Sequence, residues 1–196
     1  MAIDHDGIVW FTVQVGNKIG RLEDRRHQAR QPPDTECAAL RDRSEFRERV
    51  YFVEFGAPKV ATIDSNTNTM TIREFRLPDP GARPRRLAIG PDDVIWYTDF
   101  ARGRLDPATD EVKEWASPSG PKSQPYGMVF TKGAVWYNES FAKPNTIVRF
   151  DPKTEKFQSW PIPGGGDIVR NMSVTRDGNP VTANSLVNQV GLVEAK

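Results

Sequence analysis

The stretch Gly133–Pro163, GAVWYNESFAKPNTIVRFDPKTEKFQSWPIP, holds three short β-rich runs. Val135-Trp136-Tyr137 follows a glycine turn and Ile147-Val148-Arg149-Phe150 follows a polar segment. Lys156 to Trp160 follows the break Asp151-Pro152-Lys153-Thr154, and Pro161 and Pro163 end it, because proline cannot donate to a strand ladder. Short apolar and β-branched runs punctuated by turn residues predict an antiparallel meander.

The unit recurs. Its central aromatic is matched by Trp10, Tyr51, Trp96, Trp136 and, weakly, Val181, a period of 40–45 residues. The Asp-Pro-x-Thr turn occurs at Asp106–Thr109 and Asp151–Thr154, with a variant at Asp64-Ser65-Asn66-Thr67. The run after that turn is Ile72–Phe75, Val112–Trp115 and Phe157–Trp160. A Pro-x-x-apolar start follows at Pro84–Leu87 and Pro125–Met128. Short strands at this period are the mark of propeller blades. The expected fold is therefore all-β: a β-propeller of four-stranded blades, with about four to five blades in residues 1–196 as one partial, incomplete ring. The sequence groups these units as 50–89, 90–130, 131–174 and 175–196. The fifth is read as stopping at Gly191-Leu192-Val193, where its third strand should be. The hairpin at Ala101-Arg102-Gly103 is shorter than its counterparts. Open sheet edges predict self-association.

Residues 23–48 break the pattern, with six arginines and no period-2 alternation, yet the phase returns at Val50-Tyr51-Phe52. Two readings stand side by side: a frame-disrupted, poorly ordered blade segment, or a divergent insert helical from Ala38 to Arg49.

Composition removes several function classes. Hydrophobic residues make up 37% and aromatics 10%, enough for a core without any run approaching a membrane span. A net charge of +1 argues against nucleic acid and acidic lipid as partners. The single cysteine, Cys37, makes no internal disulfide. No signal peptide is visible. His5 and His27 suggest no zinc site, and Gly164-Gly165-Gly166 lacks the Lys-Ser/Thr of a phosphate loop. Asn138-Glu139-Ser140 and Asn171-Met172-Ser173 match glycosylation sequons by a short pattern only.

Propellers bind ligands at the mouth of the central channel, lined by the residues that begin the inner strands. Here those are Arg83-Pro84-Arg85-Arg86, Gln124-Pro125-Tyr126 and Val169-Arg170-Asn171. A second set lies three places after each strand aromatic: Val13, Glu54, Asp99, Glu139 and Asn184. One reading is a pocket for a small polar or anionic molecule. Arg85, Arg86 and Arg170 would donate, Glu54, Asp99 and Glu139 would accept, and Gln124, Tyr126 and Asn171 would complete it, the three arginines projecting into one mouth. The other reading is that these charges pair between neighbouring blades and hold the structure together, since buried charges need partners.

With these residues assembled, the chain resembles the streptogramin lyase (virginiamycin B lyase-like) family of seven-bladed propellers. The motifs are DGIVWFT and NKIGRL within 6–22, PRRLAI at 84–89, VIWYTDFARG at 94–103, RLDPATDEVKEW at 104–115, QPYGMVF at 124–130 and VRFDPKTEKFQSWPIP at 148–163. The resemblance implies bacterial enzymes, exported to the periplasm in some full-length relatives, that open a cyclic depsipeptide by Mg-dependent C–O elimination. It also implies an acidic-Pro-His signature where this chain has Arg83-Pro84-Arg85 and Gln124-Pro125-Tyr126. Arginine neither accepts a proton at neutral pH nor ligates a cation. The expectation is a ligand-binding relative with no catalytic residues assigned, no metal and no cofactor. The alternatives are a Mg-dependent lyase or lactone hydrolase using Asp99 or Glu139, and a purely structural scaffold.

Overall fold

The computed structural model describes residues 7–13, 18–22, 49–64, 71–99, 103–166 and 168–195, and the backbone alone of residues 2–3, 29–30, 40–41, 45–46 and 102. The chain divides into two compact units, Met1–Ile89 and Gly90–Lys196.

In the first unit, β1 (Ala2–Ile3), β2 (Val9–Val13), β3 (Lys18–Leu22) and β4 (Ala29–Arg30) form one antiparallel sheet in that order. The second sheet contains β5 (Leu40–Arg41), β6 (Glu45–Phe46), β7 (Arg49–Glu54), β8 (Lys59–Asp64) and β9 (Ile72–Arg76). Its order is β5–β7–β8–β9, with β6 also paired to β7. β10 (Arg86–Ile89) ends the unit. Ile8, Trp10 and Ile19 pack against Val50, Phe52, Ala61 and Ile63, so the two sheets share a core. Residues 23–48 lie outside the described residues except for the backbones of β4, β5 and β6, and so does the expectation of poor order there. The helical reading to Arg49 is corrected: Arg49 is in β7, paired with Asp64, as the β-rich run after it favours.

The second unit holds β11 (Ile95–Thr98), β12 (Arg102–Asp106) and β13 (Glu111–Trp115) as a meander. A four-stranded sheet follows, of β14 (Pro125–Thr131), β15 (Ala134–Glu139), β16 (Thr146–Asp151) and β17 (Lys156–Pro161). The last sheet is β18 (Val169–Val174), β19 (Pro180–Asn184) and β20 (Gln189–Leu192). The described residues contain no α-helix. These successive antiparallel sheets are propeller blades.

The strands fall where the repeat places them, and their groupings shift. β14 belongs with the three strands after it and β18 with the two after it, so the blade boundary lies before Pro125 and before Val169, not at 131 and 175. The reason is local. Lys132 (φ 48°) and Gly133 (φ 70°) make a two-residue turn with both central residues left-handed, which folds β14 directly onto β15. Val169–Val174 is in turn the first strand of the last blade, and Gln189–Leu192 is its third, which corrects the expectation that this strand is missing.

The Asp-Pro-x-Thr turns are equivalent. Asp106 Oδ1 accepts from the Ala108 N–H and Asp151 Oδ1 from the Lys153 N–H, both at 2.9 Å. Each turn ends on a left-handed residue, Asp110 (φ 62°) and Glu155 (φ 55°). Backbone N–H donation from Lys153 lowers the Asp151 pKa. The variant at Ser65–Thr67 lies outside the described residues. The short hairpin is real: Thr98 pairs with Arg102, whereas Glu139 pairs with Thr146. Gly103 fits beneath Tyr97, where an added Cβ would lie 2.1 Å from the ring. Trp10, Tyr51, Trp96 and Trp136 are all buried in the second strand of their sheets, and Val181 is half-buried.

Candidate functional site

The inner strands of the second unit begin with bulges. In β14, Pro125 pairs with Glu139 and Met128 with Tyr137, so Tyr126 and Gly127 together face Asn138. In β18 the register slips between Val169 and Asn171. Bulges re-aim side chains and are frequent beside binding sites. The β14 bulge is held by Asn138, whose Oδ1 accepts from the Gly127 N–H at 2.7 Å and whose Nδ2 donates to Ser140 Oγ at 2.7 Å. Gly127 is required there. A Cβ would sit 2.9 Å from Met172 Cγ, 3.0 Å from Asn138 Oδ1 and 3.5 Å from the Asn171 backbone.

Glu139 ends β15, fully buried. Its carboxylate accepts from the hydroxyls of Ser117, Ser119 (2.5 Å) and Thr146 (2.7 Å), and from the Ser119 N–H at 3.3 Å. Burial pushes its pKa up, but these donors outweigh burial and the net shift is downward. Ser117 and Ser119 lie in the connection from β13 to β14, so the carboxylate ties that loop to its own strand. The same loop is held from the other side, where the Ser140 N–H donates to the Gln124 carbonyl at 3.3 Å and the Phe141 N–H to the Ser123 carbonyl at 2.9 Å. Gln124 is left-handed (φ 48°) and half-buried; Tyr126 is buried, and its carbonyl accepts from Thr98 Oγ1 at 2.9 Å, next to buried Asp99.

Within the second unit, then, Asp99, Gln124, Tyr126, Glu139 and the Asn171 backbone form one neighbourhood at the starts of β14 and β18. Arg170 and Asn171 are exposed. Glu54, Arg85 and Arg86 belong to the first unit. There Glu54 is buried with Lys59 Nζ 4.0 Å from its Oε2, Arg85 lies over the Phe55 ring at 4.9 Å, and Arg86 donates to the Arg85 carbonyl at 3.4 Å. Val13, at the same phase as Glu54, is exposed.

Sequence reading missed Ser117, Ser119, Thr146, Asn138 and Ser123. The Ser117-Pro118-Ser119-Gly120 turn was a usable signal for the first two, since such serines seek local acceptors. Two of the polar groups here are buried without a hydrogen-bond partner: Ser123 Oγ, before β14, and Asn184 Oδ1, opposite Val169 at the start of β18. Among the described residues no three or more His, Cys, Asp or Glu side chains gather as a metal site would need.

A sequence profile of the Virginiamycin B lyase family matches residues 1–147. The chain belongs to the virginiamycin B lyase family. Its backbone is similar to virginiamycin B lyase from Staphylococcus aureus at TM-score 0.81 and 22% identity, over 100% of this chain and 69% of that one. A catalytically inactive variant of that enzyme, solved with quinupristin, matches at 0.81 and 22%, over 98% and 68%. A gluconolactonase from Xanthomonas campestris matches at 0.67 and 14%, over 91% and 66%. At these identities the structural likenesses show the β-propeller fold alone. No curated protein matches the chain.

Proposed function

We propose that this family member binds a small anionic molecule bearing hydroxyl groups at the starts of its inner strands, and that lyase chemistry is not carried by these blades. The observation that carries the reading is the pair of buried, unpartnered polar atoms at the starts of β14 and β18, Ser123 Oγ and Asn184 Oδ1. A buried polar group without a partner costs roughly 1–3 kcal/mol, which a ligand hydroxyl would relieve. Asn184 Oδ1 can only accept, so it calls for a donor on the ligand. Exposed Arg170 and half-buried Gln124 supply donors for a carboxylate or phosphate at the same strand starts. Glu139 is already engaged by four donors, which favours a structural role for it. In the first unit Arg85 and Arg86 offer further cations for the same ligand class, and Glu54 an acceptor.

Calorimetric titration with citrate tests the reading. The wild-type chain should bind, and Arg170→Ala and Asn184→Leu should each weaken binding about tenfold or more while leaving the fold intact. Undetectable citrate binding by the wild-type chain, or wild-type affinity in both variants, would defeat it.

Family membership supports a second reading, a Mg-dependent lyase acting through buried Asp99. Incubation with virginiamycin B and Mg separates the two. A linearised product detected by mass would establish the lyase and overturn the first reading.

A further inference from the structure

Two loops of the second unit make the same turn with different side chains. After β13 the chain reads Ser117-Pro118-Ser119-Gly120, and after β17 it reads Ile162-Pro163-Gly164-Gly165. The turns close alike. The Gly120 N–H donates to the Ser117 carbonyl at 2.9 Å and the Gly165 N–H to the Ile162 carbonyl at 3.0 Å, both glycines being left-handed (φ 84° and 83°). The strand ends beside these turns correspond too: Glu139 pairs with Thr146, and Asn184 with Gln189.

The polar fittings differ. Glu139 takes hydroxyls from Ser117, Ser119 and Thr146. The equivalents around Asn184 are Ile162, Gly164 and Gln189, which carry no hydroxyl, and Asn184 Oδ1 is buried with no hydrogen-bond partner. The unmet acceptor thus follows from the side chains at three described positions. One of those positions is open. Ser119 reaches Glu139 from an exposed place in the loop, and Gly164, its counterpart, is exposed as well. A Cβ built on Gly164 would have Gln189 Oε1 at 3.4 Å and no other neighbour within 4 Å, so there is room there for the hydroxymethyl group that Ser119 supplies in the other loop.

A cavity of about 320 Å³ adjoins this place, lined by Ala142–Asn145 of the β15–β16 hairpin and by Gly164 and Gly165. Lys143 is its charged wall and is exposed. On the opposite wall a Cβ built on Gly165 would meet nothing within 4 Å, so no side chain screens the backbone there.

We infer that this corner binds a polyol phosphate. A terminal hydroxyl of the ligand takes the place of the Ser119 hydroxyl and donates to Asn184 Oδ1, which can only accept. The phosphate lies in the cavity against Lys143, close to the bare backbone of Gly164 and Gly165. An amide suits this ligand where a carboxylate does not: at the position of Glu139, Asn184 accepts a hydroxyl without repelling the phosphate. The inference rests on the reading above for the Asn184 contact, and it adds the ligand class and a second contact at Lys143.

The probes are glycerol 3-phosphate and propyl phosphate, which has the same anionic group and no hydroxyl, each titrated by calorimetry against the full chain. Wild type should bind glycerol 3-phosphate saturably and propyl phosphate about tenfold more weakly. Lys143→Ala should weaken both about tenfold with an unchanged melt, since Lys143 is exposed, and Lys143→Arg should restore most of the affinity. Asn184→Leu should weaken glycerol 3-phosphate about tenfold and leave propyl phosphate unaffected. The ligand pair and the Lys143 variants carry the test without relying on a substitution at a buried position. No saturable binding of glycerol 3-phosphate, equal affinity for the two phosphates, or wild-type affinity in Lys143→Ala overturns the inference. Citrate binding that Arg170→Ala weakens, with no binding of glycerol 3-phosphate, defeats this inference and leaves the earlier reading standing. Absence of binding by both citrate and glycerol 3-phosphate defeats the two together.

Discussion

Three places after the strand aromatics, Glu54, Asp99, Glu139 and Asn184 are 0–4% exposed, whereas at the starts of the inner strands Arg170 and Asn171 are exposed and Arg85, Arg86 and Gln124 half-buried. Both sets recur in phase with the repeat and both are polar. Burial separates them. A carboxylate inside a blade must find donors in the protein, and Glu139 finds four, three of them hydroxyls. A guanidinium at a strand start can keep its head near solvent while its stem packs on the protein, as Arg85 does against Phe55. The recurrence of a polar position at Glu54, Asp99, Glu139 and Asn184 therefore marks a shared buried place in these four strands, with Val13 the exposed exception, and is not by itself a sign of a ligand.

The sharpest way to break this contrast is Glu139→Ala. It strips the acceptor from Ser117, Ser119 and Thr146, and a loss of about 3 kcal/mol in urea unfolding is expected. A loss under 0.5 kcal/mol would remove the structural role assigned to the buried set.

Acid provides a second test. Glu139 has its folded pKa below the unfolded value of about 4.5, so its contribution is complete above that value and is lost as pH falls through the folded pKa. The urea midpoint of the wild type should fall more between pH 6 and pH 3 than that of Glu139→Gln, which cannot titrate there. Parallel pH profiles for the two proteins would contradict the hydrogen-bonded carboxylate.

Arg85→Ala should cost about 0.5–1 kcal/mol through its lost contact with Phe55, measured by the same unfolding curve. A loss as large as that of Glu139→Ala would erase the distinction between the two sets.

The smallest effect belongs to Asn184→Ala. Its Oδ1 has no hydrogen-bond partner, so truncation should change stability by less than about 1 kcal/mol although the residue is buried. Any change beyond 2 kcal/mol in the melt would show that burial alone, and not the hydrogen-bond inventory, ranks these sites.

Much of the fold was legible because strand and turn chemistry are local. Gly133 after Lys132 permits the tight hairpin, Asp106 and Asp151 hold their turns through their own side chains, and glycines 20 and 103 make room for Phe11 and Tyr97. The spacing of Trp10, Tyr51, Trp96 and Trp136 marked the buried second strand of each blade. The sheet boundaries were less legible, because a 40–45-residue period does not say where a blade begins. The site was least so: the partners of Glu139 are 20 and 22 residues away at Ser119 and Ser117, and no pattern at Glu139 names them.

The sequence by itself determined the repeat, the turns, the family and the strand positions outside residues 23–49, since each rests on local strand and turn chemistry. Only the tertiary structure decided that Glu139 is spent on a loop, that Arg85 rests on Phe55, and that Ser123 and Asn184 keep unpartnered atoms. These depend on which distant groups meet and on what water can reach, and burial and hydrogen-bond supply are properties of the packed chain rather than of any segment.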